Sequence, residues 1–285
     1  MVRILLSTII FFASVHASSE VLFEGYSKIL ANGSPIGYTV SKYEFDAKSK
    51  KFISIYFLKT AGKGIEITES LKATADAKLG PLSYSYTTIV GKDVKTIDAK
   101  FKGLKMTAIV KDGKKTTTVR KDLPKDTFLS TFLVYVMLNS KDGLKTDSGY
   151  GYNAIAEEDA EVYPGQANVG KEESFHGLKA FKVQNKFKDI PFVSFVNERG
   201  EVLGTDSVTQ GVSTELVADP ALATKGFPLS ETILRNLFSE VPAGKQNMVS
   251  KSASVNPGTP GKQEGIPQGK GIQIKGEAPT TPAGK

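Results

Sequence analysis

Along most of this chain apolar and polar residues alternate with a period of two, the pattern of strands that put one face on a core. Eight such runs follow one another, at 21–31, 36–45, 51–59, 65–73, 82–86, 94–101, 104–110 and 116–120. In 65–73, Ile65, Ile67, Glu69 and Leu71 share one face, while Glu66, Thr68, Ser70 and Lys72 share the other. In 94–101 the inward set is Ile97, Ala99 and Phe101. Turn chemistry punctuates the runs at Asn32-Gly33-Ser34-Pro35, Lys48-Ser49-Lys50 and Lys111-Asp112-Gly113-Lys114. Asp-Gly between two alternating runs is a strong hairpin signal, because tight hairpin turns need φ > 0. Parallel strands need crossovers of a dozen or more residues, so runs this closely spaced form an antiparallel meander. Alternation resumes at 178–187, 191–197, 201–207 and 212–218, after a less regular stretch at 140–170.

One stretch breaks the pattern. In residues 126–139, DTFLSTFLVYVMLN, the residues Phe128, Leu129, Phe132, Leu133, Val136 and Met137 fall on one helical face. Ser130 and Thr131 fall on the other side. The spacing predicts a buried helix, N-capped by Asp126 or Thr127 and ended by Asn139 or Gly143. Its reach of roughly 18–20 Å is too short to cross a bilayer. A buried strand is the alternative, since residues 133–137 are rich in β-formers. A second, short amphipathic helix is expected at 230–239, with Ser230 as N-cap and Ile233, Leu234, Leu237 and Phe238 inward. The expected fold is mainly β: a large antiparallel, strongly curved sheet or half-open barrel, with one buried central helix and a short C-terminal helix. A helix against a curved sheet is where apolar pockets form, which makes Phe128, Phe132, Tyr135 and Val136 the candidate ligand-binding residues.

The two ends read differently. Residues 1–17 have Arg3, an apolar run over 4–15 and small or medium residues at Val15 and Ala17, the pattern of an export signal. The expected destination is the periplasm or cell envelope, as a soluble or peripheral protein. With no cysteine the protein is not a lipoprotein, and residues 18–241 must fold on their core alone. From residue 242 to 285, Gly, Pro, Lys and Gln dominate, and a disordered basic tail is expected. Its six lysines against two glutamates hold about half of the formal net charge of +7, enough for an electrostatic hold on an anionic envelope surface.

Candidate chemistry is sparse. Thiol catalysis and cysteine-ligated zinc are excluded, and His176 is the only histidine after the signal. Next to Gly177 it reads as an exposed turn residue. No nucleophile elbow or phosphate loop occurs. Glu157, Glu158, Asp159 and Glu161 lack the spacing of a calcium loop and read as a solvated acidic loop. No catalytic residue, metal or cofactor is assigned. Export argues against nucleic acid as a partner.

Three motifs carry a resemblance: Gly33-x-x-Ile36-Gly37, His176-Gly177-Leu178-Lys179-Ala180-Phe181-Lys182-Val183, and Phe195-Val196-Asn197-Glu198-Arg199-Gly200-Glu201-Val202-Leu203. Over residues 20–225 the chain resembles bacterial envelope β-proteins of unknown function. Some of these are similar to the lipoprotein-carrier (Lol-type) half-barrel, and others sit beside transglutaminase-like domains. Asn197 stands where that pattern has Asp. The resemblance implies a fold and a compartment and transfers no catalytic residue. The expected function is a non-enzymatic envelope protein binding a lipid, acyl chain or other apolar ligand in the concave face. The alternative is a structural or interaction module on wall or membrane components, tethered by the tail.

Overall fold

The computed structural model describes residues 19–62 and 65–255. The expected export signal and the tail beyond residue 255 lie outside the described residues. The first eight alternating runs become β1 (Glu20–Ala31), β2 (Ser34–Asp46), β3 (Lys51–Gly62), β4 (Ile65–Asp76), β5 (Pro81–Val90), β6 (Asp93–Lys102), β7 (Lys105–Asp112) and β8 (Lys115–Asp122). Each pairs antiparallel with the next, as the short turns require.

The chain then makes β9 (Phe128–Leu129), β10 (Gly149–Ala156), β11 (Glu161–Phe175), β12 (Leu178–Phe187), β13 (Ile190–Val196), β14 (Val202–Ser207) and β15 (Val212–Val217). Because β15 pairs back onto β1, all 15 strands form one sheet, in the order β8 to β1, then β15 down to β9. The result is the expected mainly β fold. The sheet is strongly curved and its ladder is not closed. Its two wings meet through side chains instead: Lys121 of β8 pairs with Glu161 of β11, and Lys95 Nζ of β6 donates to the Glu158 carbonyl at 2.8 Å. Ala99 and Met106 of one wing share a core with Leu129 and Ile155 of the other.

The central segment lies in this concavity and departs from a continuous helix. Phe128 and Leu129 are extended and pair parallel with Ala154 and Ile155. A single 3₁₀ turn, Ser130–Phe132, then leads into a six-residue helix, α1 (Leu133–Leu138). Neither Asp126 nor Thr127 caps it: Asp126 has φ of 60°, Leu129 holds the cap position of the 3₁₀ turn and Phe132 that of α1, both without a side-chain cap. The buried-strand alternative for 133–137 also fails. Val134 and Val136 are helical because packing on several sides outweighs their modest propensity penalty.

Strands β1 to β3 are covered on both faces. Thr39, Ser41 and Tyr43 point into the concavity, while Tyr38 and Val40 pack outward against Leu234 and Phe238. Those two belong to α3 (Glu231–Phe238), the expected C-terminal helix, although Ser230 makes no side-chain cap. A shorter helix, α2 (Pro220–Thr224), adds Ala223 to the same core.

Three expectations need correction. Residues 140–170 hold two long strands, β10 and β11, disguised by Gly and Pro. Gly165 is required there, since a Cβ would lie 2.2 Å from the Tyr152 ring across the pair. The acidic run 157–161 is a seam rather than a solvated loop: Lys188 Nζ reaches Glu158 at 2.7 Å and Asp159 at 2.6 Å, and Glu157 is buried. The domain does not end at 241. Residues 242–255 dock on β1 and end in α4 (Met248–Val255). Gly244 N donates to Glu24 Oε1 at 2.7 Å, Asn247 Nδ2 to the Glu24 carbonyl at 2.9 Å, and Tyr26 OH to the Pro242 carbonyl at 3.0 Å. Isolated polar residues make these contacts, so no periodic pattern announces them.

Candidate functional site

The central segment does not fill the concavity. Between it and strands β1, β2, β3, β14 and β15 lies a cavity of about 270 Å³. Period-two alternation decides its floor. On β2 it turns Thr39, Ser41 and Tyr43 inward, beside Ser27 of β1 and Tyr56 of β3. Thr205 of β14 and Thr214 of β15 complete that wall, their hydroxyls 2.8 Å apart. Thr131, Val134 and Tyr135 of the central segment form the roof.

Thr131 is pinned from two sides. Tyr43 OH donates to its carbonyl at 3.0 Å, and its hydroxyl is 2.7 Å from Ser54 Oγ. The far end of the roof rests on the β13–β14 turn. There Gly200 has φ of 79°, and a Cβ would come within 2.4 Å of Leu138. Asn197 shapes this turn by accepting from the backbone N–H groups of Arg199 and Glu201. Glu201 Oε2 in turn accepts from Met248 N at 2.8 Å, so one turn seats both the cavity roof and α4.

At the other end of the roof stands Glu157, at the end of β10. Its Oε2 accepts from Ser130 Oγ at 2.6 Å and its Oε1 from Thr131 N at 3.2 Å. This carboxyl occupies the capping place that the segment's own residues leave empty. Burial pushes its pKa from 4.5 up to about 7, against the pull of those two hydrogen bonds; Glu158 adds a small upward push.

Among the described residues no charged side chain lines the cavity. Six of its lining residues are Ser or Thr and three are Tyr, set among Phe23, Val134, Val202 and Gly200. Among the described residues the hydroxyls of Ser27, Thr39, Ser41, Tyr56 and Tyr135 have no protein hydrogen-bond partner. Burial drives the pKa of Tyr43, Tyr56 and Tyr135 upward, so all three stay neutral donors at any ordinary pH.

The four candidate residues separate. Tyr135 lines the cavity, its ring 5.1 Å from that of Tyr43. Phe132 is fully buried between Tyr43 and Phe52. Phe128 packs on Tyr152, and Val136 packs into the core of the β4–β7 wing. None of those three lines the cavity. The hydroxyl wall was missed because Thr and Ser on alternate strand positions read as a solvent face. A smaller hollow of about 160 Å³ lies apart from the central segment, lined mainly by aliphatic residues with Lys28, His176 and Glu215.

No family model and no curated protein matches this chain. The fold is similar to the β-barrel-like protein of a domain of unknown function, DUF1849, from Brucella abortus. That likeness has a TM-score of 0.50 at 14% identity, over 70% of this chain and 98% of that one. A DUF1089 family protein from Pseudomonas aeruginosa is matched at a TM-score of 0.35 and 13% identity, over 72% and 98% of the two chains. At these identities the comparison concerns fold alone.

Proposed function

We propose that this is an exported, non-enzymatic envelope protein that holds one uncharged amphipathic molecule, an acyl chain with a neutral polar head, between its curved sheet and the central segment. The observation that carries this reading is the cavity wall: nine hydroxyl-bearing side chains beside Phe23, Val134 and Val202, and no charge. An ionised head would lose its hydration there and meet no counter-charge, which is costly. A wholly apolar ligand would leave Thr39 and its neighbours dry and unpaired, which is also costly. A neutral head against the hydroxyls and a chain against the apolar side chains and rings avoids both penalties. The lipoprotein-carrier resemblance agrees with a ligand held in a concave face.

Native mass spectrometry of protein purified from its own envelope tests this reading. A co-purifying neutral lipid, absent from a Thr39→Phe variant that fills the cavity, is the expected result. Protein that carries no ligand and takes up none from neutral acylglycerols would refute it.

A further inference from the structure

The wing formed by β6, β7 and β8 has a second face, turned away from the core. Alternation puts Ile97, Ala99, Met106 and Ala108 inward, and Lys100, Lys102, Lys105, Lys111 and Arg120 outward and exposed. The only outward acids on these strands are Asp98 and Asp122, so five cations stand against two anions. Asp98 is engaged by Ser85 Oγ at 2.7 Å. Among the described residues none of the five cations forms an ion pair.

The register sharpens this. Lys102 stands directly opposite Lys105, and Lys100 and Arg120 flank Thr107 in the neighbouring row. Like charges set directly across a ladder destabilise it, and the one acid in that row, Asp122 opposite Lys105 on β8, leaves the row with a net positive charge. The cations therefore form a fixed grid at strand spacing, with Thr96, Thr107, Thr116 and Thr118 hydroxyls between. Three exposed aliphatic side chains lie on the same wing: Val94 near the start of β6, Ile109 within the grid and Leu104 at the tip of the β6–β7 hairpin.

We infer that this face docks on an anionic phospholipid bilayer. The lysines and Arg120 meet headgroup phosphates, and Leu104 and Ile109 enter the headgroup layer. Cationic surfaces with interspersed aliphatic side chains bind bilayers in this way. A nucleic acid fits less well, because sheets that bind single strands present aromatic rings for base stacking, and the outward positions of β6 to β8 hold none. The inference is independent of what fills the cavity. It also differs from a hold through the tail, because its cations belong to the folded sheet.

The test is co-sedimentation of the full chain with vesicles of phosphatidylcholine alone and of phosphatidylcholine with phosphatidylglycerol. The variant is Lys100→Gln/Lys102→Gln/Lys105→Gln, whose exposed positions leave the core untouched; circular dichroism confirms its fold. A second variant, Lys48→Gln/Lys50→Gln/Lys51→Gln, removes as many charges from the β2–β3 turn. Binding to the anionic vesicles alone is expected. It should fall about tenfold or more in the first variant and little in the second, and fall again at about 0.5 M salt, where the screening length is a few ångströms. Equal loss in both variants, or no loss in the first, overturns the inference and leaves general charge or the tail as the cause. Equal binding to neutral vesicles, or displacement by single-stranded DNA at matched phosphate, overturns it too.

Discussion

Glu157 gives the sharpest prediction about stability. Its folded pKa of about 7 lies above the ordinary value of 4.5, so the folded state holds a proton that the unfolded chain releases. Linkage then makes stability fall as pH rises between those two values. Below about pH 4.5 the carboxyl is protonated in both states and exerts no penalty; above about pH 7 the penalty is complete. A difference of about 2.5 pKa units corresponds to up to about 3 kcal/mol, at about 1.4 kcal/mol per unit. Glu157→Gln removes the charge but keeps an oxygen for Thr131 N and a polar group for Ser130 Oγ. The assay is urea denaturation of both proteins at pH 5, 6, 7 and 8. Other titrating groups, including Glu69, whose pKa burial also raises, stay in both proteins and cancel in the difference. The variant should exceed the parent by less than about 1 kcal/mol near pH 5 and by about 3 kcal/mol at pH 8. Parallel stability curves across that range would refute the burial and bonding described for this carboxyl.

Phe132→Ala should cost about 3–5 kcal/mol in the same assay, since it empties a fully buried site between Tyr43 and Phe52; a loss under about 1 kcal/mol would show that the central segment is not packed there. Gly200→Ala should cost about 1–3 kcal/mol through its positive φ and the clash with Leu138; an unchanged denaturation midpoint would mean that the roof does not rest on that turn. A chain ended after Ala243 should melt several degrees lower, because Glu24 loses Gly244 N and Asn247; an unchanged melting temperature would show that the docked segment contributes nothing.

The meander was legible because its strands have one wet face, or turns dense in Gly, Asn and Asp, and either feature marks an antiparallel ladder. The central segment was legible as buried but not as three pieces. Phe128 and Leu129 continue an apolar helical stripe, yet they pair with β10, a partner itself obscured by Gly149 and Gly151 and lying beside a β11 that carries Pro164. Glu157 was illegible for a different reason. In a run of acids nothing in the residue itself marks the one at the end of β10 that turns inward to Ser130. The cavity depends on a tertiary fact, the height at which Thr131 and Tyr135 are held above β2. No local pattern encodes that height, so hydroxyls on alternate positions of β1, β2, β14 and β15 look the same whether they meet solvent or ligand.

The central claim is that the hydroxyl-lined cavity takes an uncharged amphipathic molecule. Titration of ¹⁵N-labelled protein with monooctanoylglycerol, followed by amide shifts, tests it most directly, with octanoate as the charged counterpart. The account predicts saturable shifts centred on Thr39, Ser41, Thr131, Tyr135 and Thr214 with the glycerol ester, much weaker ones with octanoate, and none in Thr39→Phe. Equal or tighter binding of octanoate at those residues, or shifts by the ester confined to residues away from the cavity, would contradict it.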